Sequence, residues 1–209
     1  MTDQQTKPLP PTLFDRVDNS DDTLFYRSPR LVAHIDQKTI DALTIFYREK
    51  LRPGANVLDL MSSWISHLPE DLELGTVSGL GMNQAELEAN PRLTNHVVHD
   101  LNAEPVLPYA NLSYDFVLIA VSIQYLIRPI EVFAEIARVL RPQGQVIVST
   151  SHRCFPTKAI RAFQQADLEG RLQLIAEYMR RAQAFADPVV DDCSPPNADP
   201  LWIVSGRRE

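Results

Sequence analysis

Residues 114–151 read YDFVLIAVSIQYLIRPIEVFAEIARVLRPQGQVIVSTS. Within them, residues 115–121 are apolar almost throughout, as befits a strand covered on both faces rather than one that alternates. Pro129 stands where the first residue of a helix belongs. Behind it Ile130, Phe133, Ala134, Ala137 and Leu140 fall on one stripe at helical spacing. Arg141, Pro142, Gln143 and Gly144 end that helix, and residues 145–150 (QVIVST) read as the next strand. A strand, a helix and a strand joined this tightly call for parallel pairing through a right-handed crossover.

Outward from this stretch the same alternation continues. Upstream, residues 56–60 (NVLDL), 76–80 (TVSGL) and 95–98 (NHVV) are strand candidates. Between the first two, SSWISHLPEDLEL has room only for a short helix because Pro69 interrupts it. Residues 83–89 (NQAELEA) form another short helix. A longer one starts at Asp36, a plausible N-cap, carries Ile40, Leu43 and Tyr47 at helical spacing, and stops at Pro53 and Gly54. Downstream, residues 157–184 read as helical with a break near Gly170, and residues 201–205 (LWIVS) as a terminal strand. Strands alternating with helices predict an α/β domain with a parallel sheet and helices on both faces.

The chain divides into a flexible lead-in at 1–23, a cap with a helix at 24–55, and the layered domain at 56–206. A length of 209 residues suits one such domain. The net charge of −7 argues against the clustered Lys and Arg that a nucleic-acid face needs. No apolar run approaches the ~18 residues that span a bilayer. Cys154 and Cys193 form neither a disulfide framework nor a metal spacing, so no metal is expected, and a reducing, cytoplasmic setting fits.

On these residues the stretch from 56 to 206 resembles the class I S-adenosylmethionine-dependent methyltransferases of the type 11 sort. The resemblance rests on Tyr114-Asp115 opening the fourth strand, on Leu140-Arg141-Pro142-Gln143-Gly144, and on the aliphatic run that follows. It implies a Rossmann-like, doubly wound, mostly parallel sheet of about seven strands. It also implies methyl transfer from S-adenosylmethionine by direct displacement, with a small molecule as acceptor. The family's glycine-rich loop is rewritten here: Asp59 is kept, but Met61, Ser62, Ser63 and Trp64 follow. Serines are small and offer hydroxyls and backbone N–H groups near a helix start. At the end of the second strand Gly81 stands where an acidic residue usually accepts from the ribose. Asn83 is placed to reach a hydroxyl and Met82 to pack on the adenine. His99, Asp100, Leu101 and Asn102 resemble the third motif, with Asp100 accepting from the adenine amino group. Val121, closing the fourth strand, completes the expected cofactor set.

Ligands in such sheets sit beyond the carboxyl ends of the strands. His152, just after the fifth strand, is the general-base candidate, or else a loop histidine bonded to backbone. Gln124 and Tyr125 match the family's frequent His-His pair. Tyr125 either orients a substrate hydroxyl as a second catalytic group or closes the sheet edge as an aromatic lid. Arg153 suits a substrate carboxylate or a surface ion pair. Cys154 near a helix start suggests a lowered thiol pKa, or simply a small buried thiol. Trp64 and His67, three apart, share a face if that turn is helical. Tyr26, Arg30 and His34 in the cap are further substrate contacts, or struts for the helix behind them. Two rivals remain: a catalytically degenerate module that binds or regulates a partner, and a nucleotide-dependent oxidoreductase. No G-x-G-x-x-G follows the first strand to support the latter. Oligomeric state is not readable from the residues.

Overall fold

The structure, a computed structural model, describes residues 8–209. Its elements run in chain order as α1 (Asp22–Phe25), α2 (Gln37–Lys50), β1 (Val57–Leu60), β2 (Val77–Gly81), α3 (Gln84–Ala89), β3 (Asn95–Val98), β4 (Tyr114–Ala120), α4 (Pro129–Val139), β5 (Leu140–Thr150), α5 (Arg161–Gln165), α6 (Leu168–Arg181), β6 (Val189–Asp192) and β7 (Trp202–Arg207), with short 3₁₀ turns at Pro11–Phe14 and Ile123–Tyr125. The seven strands form one sheet in the order β3-β2-β1-β4-β5-β7-β6. The first five pair in parallel, whereas β7 is antiparallel to β5 and β6 antiparallel to β7. The expected mostly parallel, doubly wound sheet is the one found.

Alternating strand residues feed two cores. Leu58 and Leu60 of β1, Val117 and Ile119 of β4, and Val146 and Val148 of β5 join α4 and α6 through Phe133, Ile136, Tyr178 and Met179. On the opposite face Val57, Phe116, Leu118 and Ile147 pack on α2 through Leu43, Phe46 and Tyr47. Asp36 caps α2 as expected, accepting from the Thr39 N–H at 3.0 Å. Pro129 opens α4 as expected. The buried face of α4 keeps Phe133 and Ala137 of the expected stripe and adds Val132, Ile136 and Val139, while Ala134 is exposed. Asp115 has a structural task. It accepts from Arg52 at 2.5 Å, Arg141 at 2.8 Å and the Asn56 N–H at 2.8 Å, tying the entries of β1, β4 and β5 together.

Four expectations are corrected. No helix lies between β1 and β2; Pro69 and the polar residues before it leave too short a run to nucleate one. The break in the C-terminal helical region comes before Asp167, which caps α6 by accepting from the Gly170 N–H, so Gly170 belongs to the first turn of α6. Strand β6 was not anticipated: its four residues are mostly exposed at the sheet edge and show no apolar alternation. Finally, residues 8–23 are not a loose lead-in. Leu9 and Phe14 pack against the core and Asp22 is buried. The remainder of the predicted flexible segment, residues 1–7, lies outside the described residues.

Candidate active site

Order reversal between β1 and β4 opens a crevice at the carboxyl ends of the strands, where open α/β sheets take their ligands. A cavity of about 580 Å³ occupies it, walled by the ends of β1, β2 and β4 and the loops after β3 and β5, and roofed by residues 26–35. That volume lies within the usual range for small-molecule sites.

The bend after β1 is tight and self-bonded. Met61, where the family places glycine, adopts a left-handed backbone with φ 59°, a conformation that disfavours a side chain by about 1–2 kcal/mol. Ser62 donates its N–H to the Leu80 carbonyl at 2.8 Å and its hydroxyl to Asp59 at 2.6 Å. Ser66 donates to the same Asp59 oxygen at 2.6 Å, and Ser63 to Glu86 at 2.6 Å. Burial pushes Asp59 up to about 6, against the pull of its two serine donors. The serines expected to greet a ligand thus spend their hydroxyl protons on one another's neighbours. With no helix behind them, they also lack a helix N-terminus. Gly81 explains itself here: a Cβ at this position would lie 2.2 Å from the Ser62 carbonyl oxygen. The acid of the family motif is absent because the bend crosses the end of β2.

Trp64 and His67 line the cavity but share no helical face. Trp64 donates its indole N–H to the Val32 carbonyl at 3.1 Å and braces the roof. His67 takes φ 55°, and its buried Nδ1 has no hydrogen-bond partner among the described residues. Burial, helped by nearby His34, pushes His67 down to about 4, so it is neutral at pH 7.

Around β2 and β3, Met82, Asn83, Asp100, Leu101 and Asn102 all face the cavity, with unequal freedom. Asn83 is consumed structurally: Oδ1 caps α3 by accepting from the Glu86 N–H, and Nδ2 donates to the carbonyls of Tyr26 and Arg27. Asn102 is equally occupied, donating to Asp22 and to the Tyr125 carbonyl and accepting from the Ile127 N–H. Asp100 keeps capacity. Its Oδ1 accepts from the N–H groups of Asn102 (2.8 Å) and Ala103 (3.3 Å), while Oδ2 accepts no bond among the described residues.

At the ends of β4 and β5, Val121 also adopts a left-handed backbone, φ 51°, unusual for a β-branched residue and characteristic of functional sites. The hydroxyl of Ser122, on the cavity wall, is buried without a partner among the described residues. Gln124 is corrected: its side chain donates to the Val121 carbonyl at 2.9 Å, and it does not line the cavity. Tyr125 does. Its hydroxyl accepts from the Phe155 N–H at 2.8 Å, its ring stacks on Phe155, and burial pushes the phenol up to about 12. His152 stands 3.5 Å from Asp199, and Arg153 pairs with the same carboxylate at 2.6 Å, the ion-pair alternative for that residue. No helix begins at Cys154; α5 starts at Arg161. Partial burial raises the thiol pKa instead of lowering it.

The roof was legible only in part. Tyr26, Arg30 and His34 face the cavity; burial pushes the Tyr26 phenol up and the His34 imidazole down. Three charged residues escaped the sequence. Glu86 accepts from the Arg30 N–H at 2.7 Å as well as from Ser63. Asp22 takes both Nη1 bonds from Arg16, at 2.8 and 2.9 Å. Lys158, fully buried, pairs with Asp22 at 3.0 Å and Asp18 at 3.2 Å. In sequence each looks like a solvated surface charge.

Fold and crevice together define a Rossmann-like, doubly wound α/β architecture with a cavity at its switch point. Residues 63–148, less than half of the chain, match the family model described as a methyltransferase domain, so over that stretch the chain is similar to methyltransferases. Among solved structures, the [4+2]-cyclase SpnF superposes with a TM-score of 0.62 at 16% identity, over 82% of each chain. A chain of the complex between the Haloferax volcanii Trm112 methyltransferase activator and a methyltransferase gives 0.63 at 15%, over 82% of this chain and 90% of that one. An S-adenosylmethionine-dependent methyltransferase from Mesorhizobium loti gives 0.58 at 18%, over 81% and 100%. No curated protein matches the chain. Among the described residues, no helix is long and apolar enough to cross a membrane, and no group of three or more His, Cys, Asp or Glu is arranged to hold a metal.

Proposed function

We propose that this protein is a cytoplasmic methyltransferase that takes S-adenosylmethionine and transfers its methyl group to a small molecule by direct displacement. One observation carries the reading: the cavity lies at the switch point between β1 and β4, with hydrogen-bonding capacity left open on its walls. The cofactor fits that donor set. Asp100 Oδ2 suits the adenine amino group, Leu101 and Met82 supply apolar surface, and the unpartnered Ser122 hydroxyl suits the polar amino-acid end. When bound, it supplies an electrophilic methyl on a sulfonium. The chain's own residues then align the acceptor and keep water out, which is most of what displacement requires. Trp64, Tyr26 and Phe155 roof the cavity. His152, oriented from Asp199, stands at the rim to take a proton from the acceptor, and Tyr125 holds the loop that carries Phe155. Calorimetry with S-adenosylmethionine and S-adenosylhomocysteine tests this. Binding at micromolar to submillimolar ligand is expected, and no heat up to millimolar ligand would overturn it.

The second reading, a degenerate module that binds a partner, has its own observation. Ser62, Ser63 and Asn83 are satisfied within the protein, and the bend crosses the ground where a ribose-binding acid would stand. The same calorimetry separates the two.

A further inference from the structure

Two arginines line the cavity, Arg30 and Arg153. Arg153 is held by Asp199. Arg30 is not so held: among the described residues no carboxylate lies within ion-pair distance of its guanidinium. The group is nevertheless held in place. Nη2 donates to the Phe25 carbonyl at 2.8 Å, and the guanidinium carbon lies 4.5 Å from the Phe25 ring centre and 5.4 Å from that of Phe155. Contacts to two rings and a carbonyl fix the plane of an arginine without neutralising it. A fixed, unneutralised guanidinium on a cavity wall is prepared for a planar anion.

Its backbone shows where it stands. The Arg30 N–H donates to one oxygen of Glu86, and the other oxygen accepts the Ser63 hydroxyl. Arg30 is therefore joined through Glu86 to the bend after β1. That bend has lost its means of holding an anion: no helix starts behind it, and the Ser62 and Ser63 hydroxyl protons point to Asp59 and Glu86.

We infer that Arg30 is the carboxylate receptor of this cavity and takes the amino-acid carboxylate of the adenosyl ligand, in place of the rewritten β1 bend. The inference rests on the S-adenosylmethionine reading, and its test separates the two. Calorimetry would compare S-adenosylhomocysteine with 5′-deoxy-5′-methylthioadenosine, a thioether of the same nucleoside lacking the amino-acid end. The proteins are the wild type, Arg30→Gln and Arg30→Lys. Expected is at least a tenfold loss of S-adenosylhomocysteine affinity in Arg30→Gln, with partial recovery in Arg30→Lys, while methylthioadenosine binding stays within twofold throughout. Equal losses for both ligands, or no loss for either, overturn the assignment and leave the adenosyl reading standing. The same holds if the wild type binds the two ligands equally well. If the wild type binds neither, the functional reading fails and takes this assignment with it.

Discussion

Gly81 and Met61 are two halves of one exchange. The first gives up its side chain so that the Ser62 carbonyl can pass over the end of β2; the second keeps a side chain at a left-handed position. Putting an acid back at position 81, as the family pattern suggests, cannot restore a ribose contact, because its Cβ meets backbone and not a yielding side chain. Gly81→Asp is expected to cost about 2–3 kcal/mol, the range of an overpacked core, read from the urea midpoint. An unchanged midpoint would mean that the bend is free to move aside. The sequence could name Gly81 as a departure but not its cause, since the atom that excludes the acid belongs to the backbone of another strand's loop. Asp100 was legible for the opposite reason: its partners, Asn102 and Ala103, are its own neighbours in the chain.

Among the elements, the N-terminal strap departs furthest from its sequence. Residues 8–23 read as part of a loose lead-in, yet Arg16 and Asp22 form a buried ionic knot with Lys158, with side-chain exposures of 6%, 3% and 0%. Asn102 joins it through Asp22. The knot fastens the strap to the loops after β3 and β5, the loops that wall the cavity. Asp22→Ala strands the buried Arg16 and leaves Lys158 with Asp18 as its one carboxylate, and breaking a buried pair in this way costs about 3–5 kcal/mol. Chemical denaturation should show that loss, and limited proteolysis should cut the strap before the core. A loss below ~1 kcal/mol would mean that the cations simply turn to solvent. Strands β4 and β5 and helix α4 were readable because burial on both sheet faces writes itself as unbroken apolar runs. The missing helix after β1 and the edge strand β6 were not, since neither carries a periodic apolar signal.

For the whole molecule, two buried groups beside the cavity pull stability in opposite directions with pH. Asp59, ordinarily 3.8, is pushed up to about 6. From pH 4 to 6 the folded protein keeps a proton the unfolded chain has lost, so this term weakens the fold as pH rises. His67, ordinarily 6.5, is pushed down to about 4. As pH falls from 6.5 to 4 the unfolded chain gains a proton the folded one refuses, so this term weakens the fold as pH drops. The two slopes nearly cancel. Asp59→Asn removes the first, and its stability relative to wild type should match near pH 4 and rise by roughly 3 kcal/mol by pH 7, two units at ~1.4 kcal/mol each. Denaturation at both pH values measures the gap, and a constant gap would show that Asp59 ionises as an ordinary carboxyl.

What the sequence determined alone is the layered α/β architecture, the strands at its centre and the crevice they create. These follow from apolar periodicity and from proline, effects exerted between residues close in the chain. Which polar groups around the crevice are occupied and which stay free was decided only by the tertiary structure. Asn83 reaches back 57 residues to Tyr26, Lys158 reaches 138 to Ser20, and Asp36 and Asp199 bond across 163. Hydrogen bonds and ion pairs are made by whatever packing brings within 3 Å, and no local pattern records that proximity.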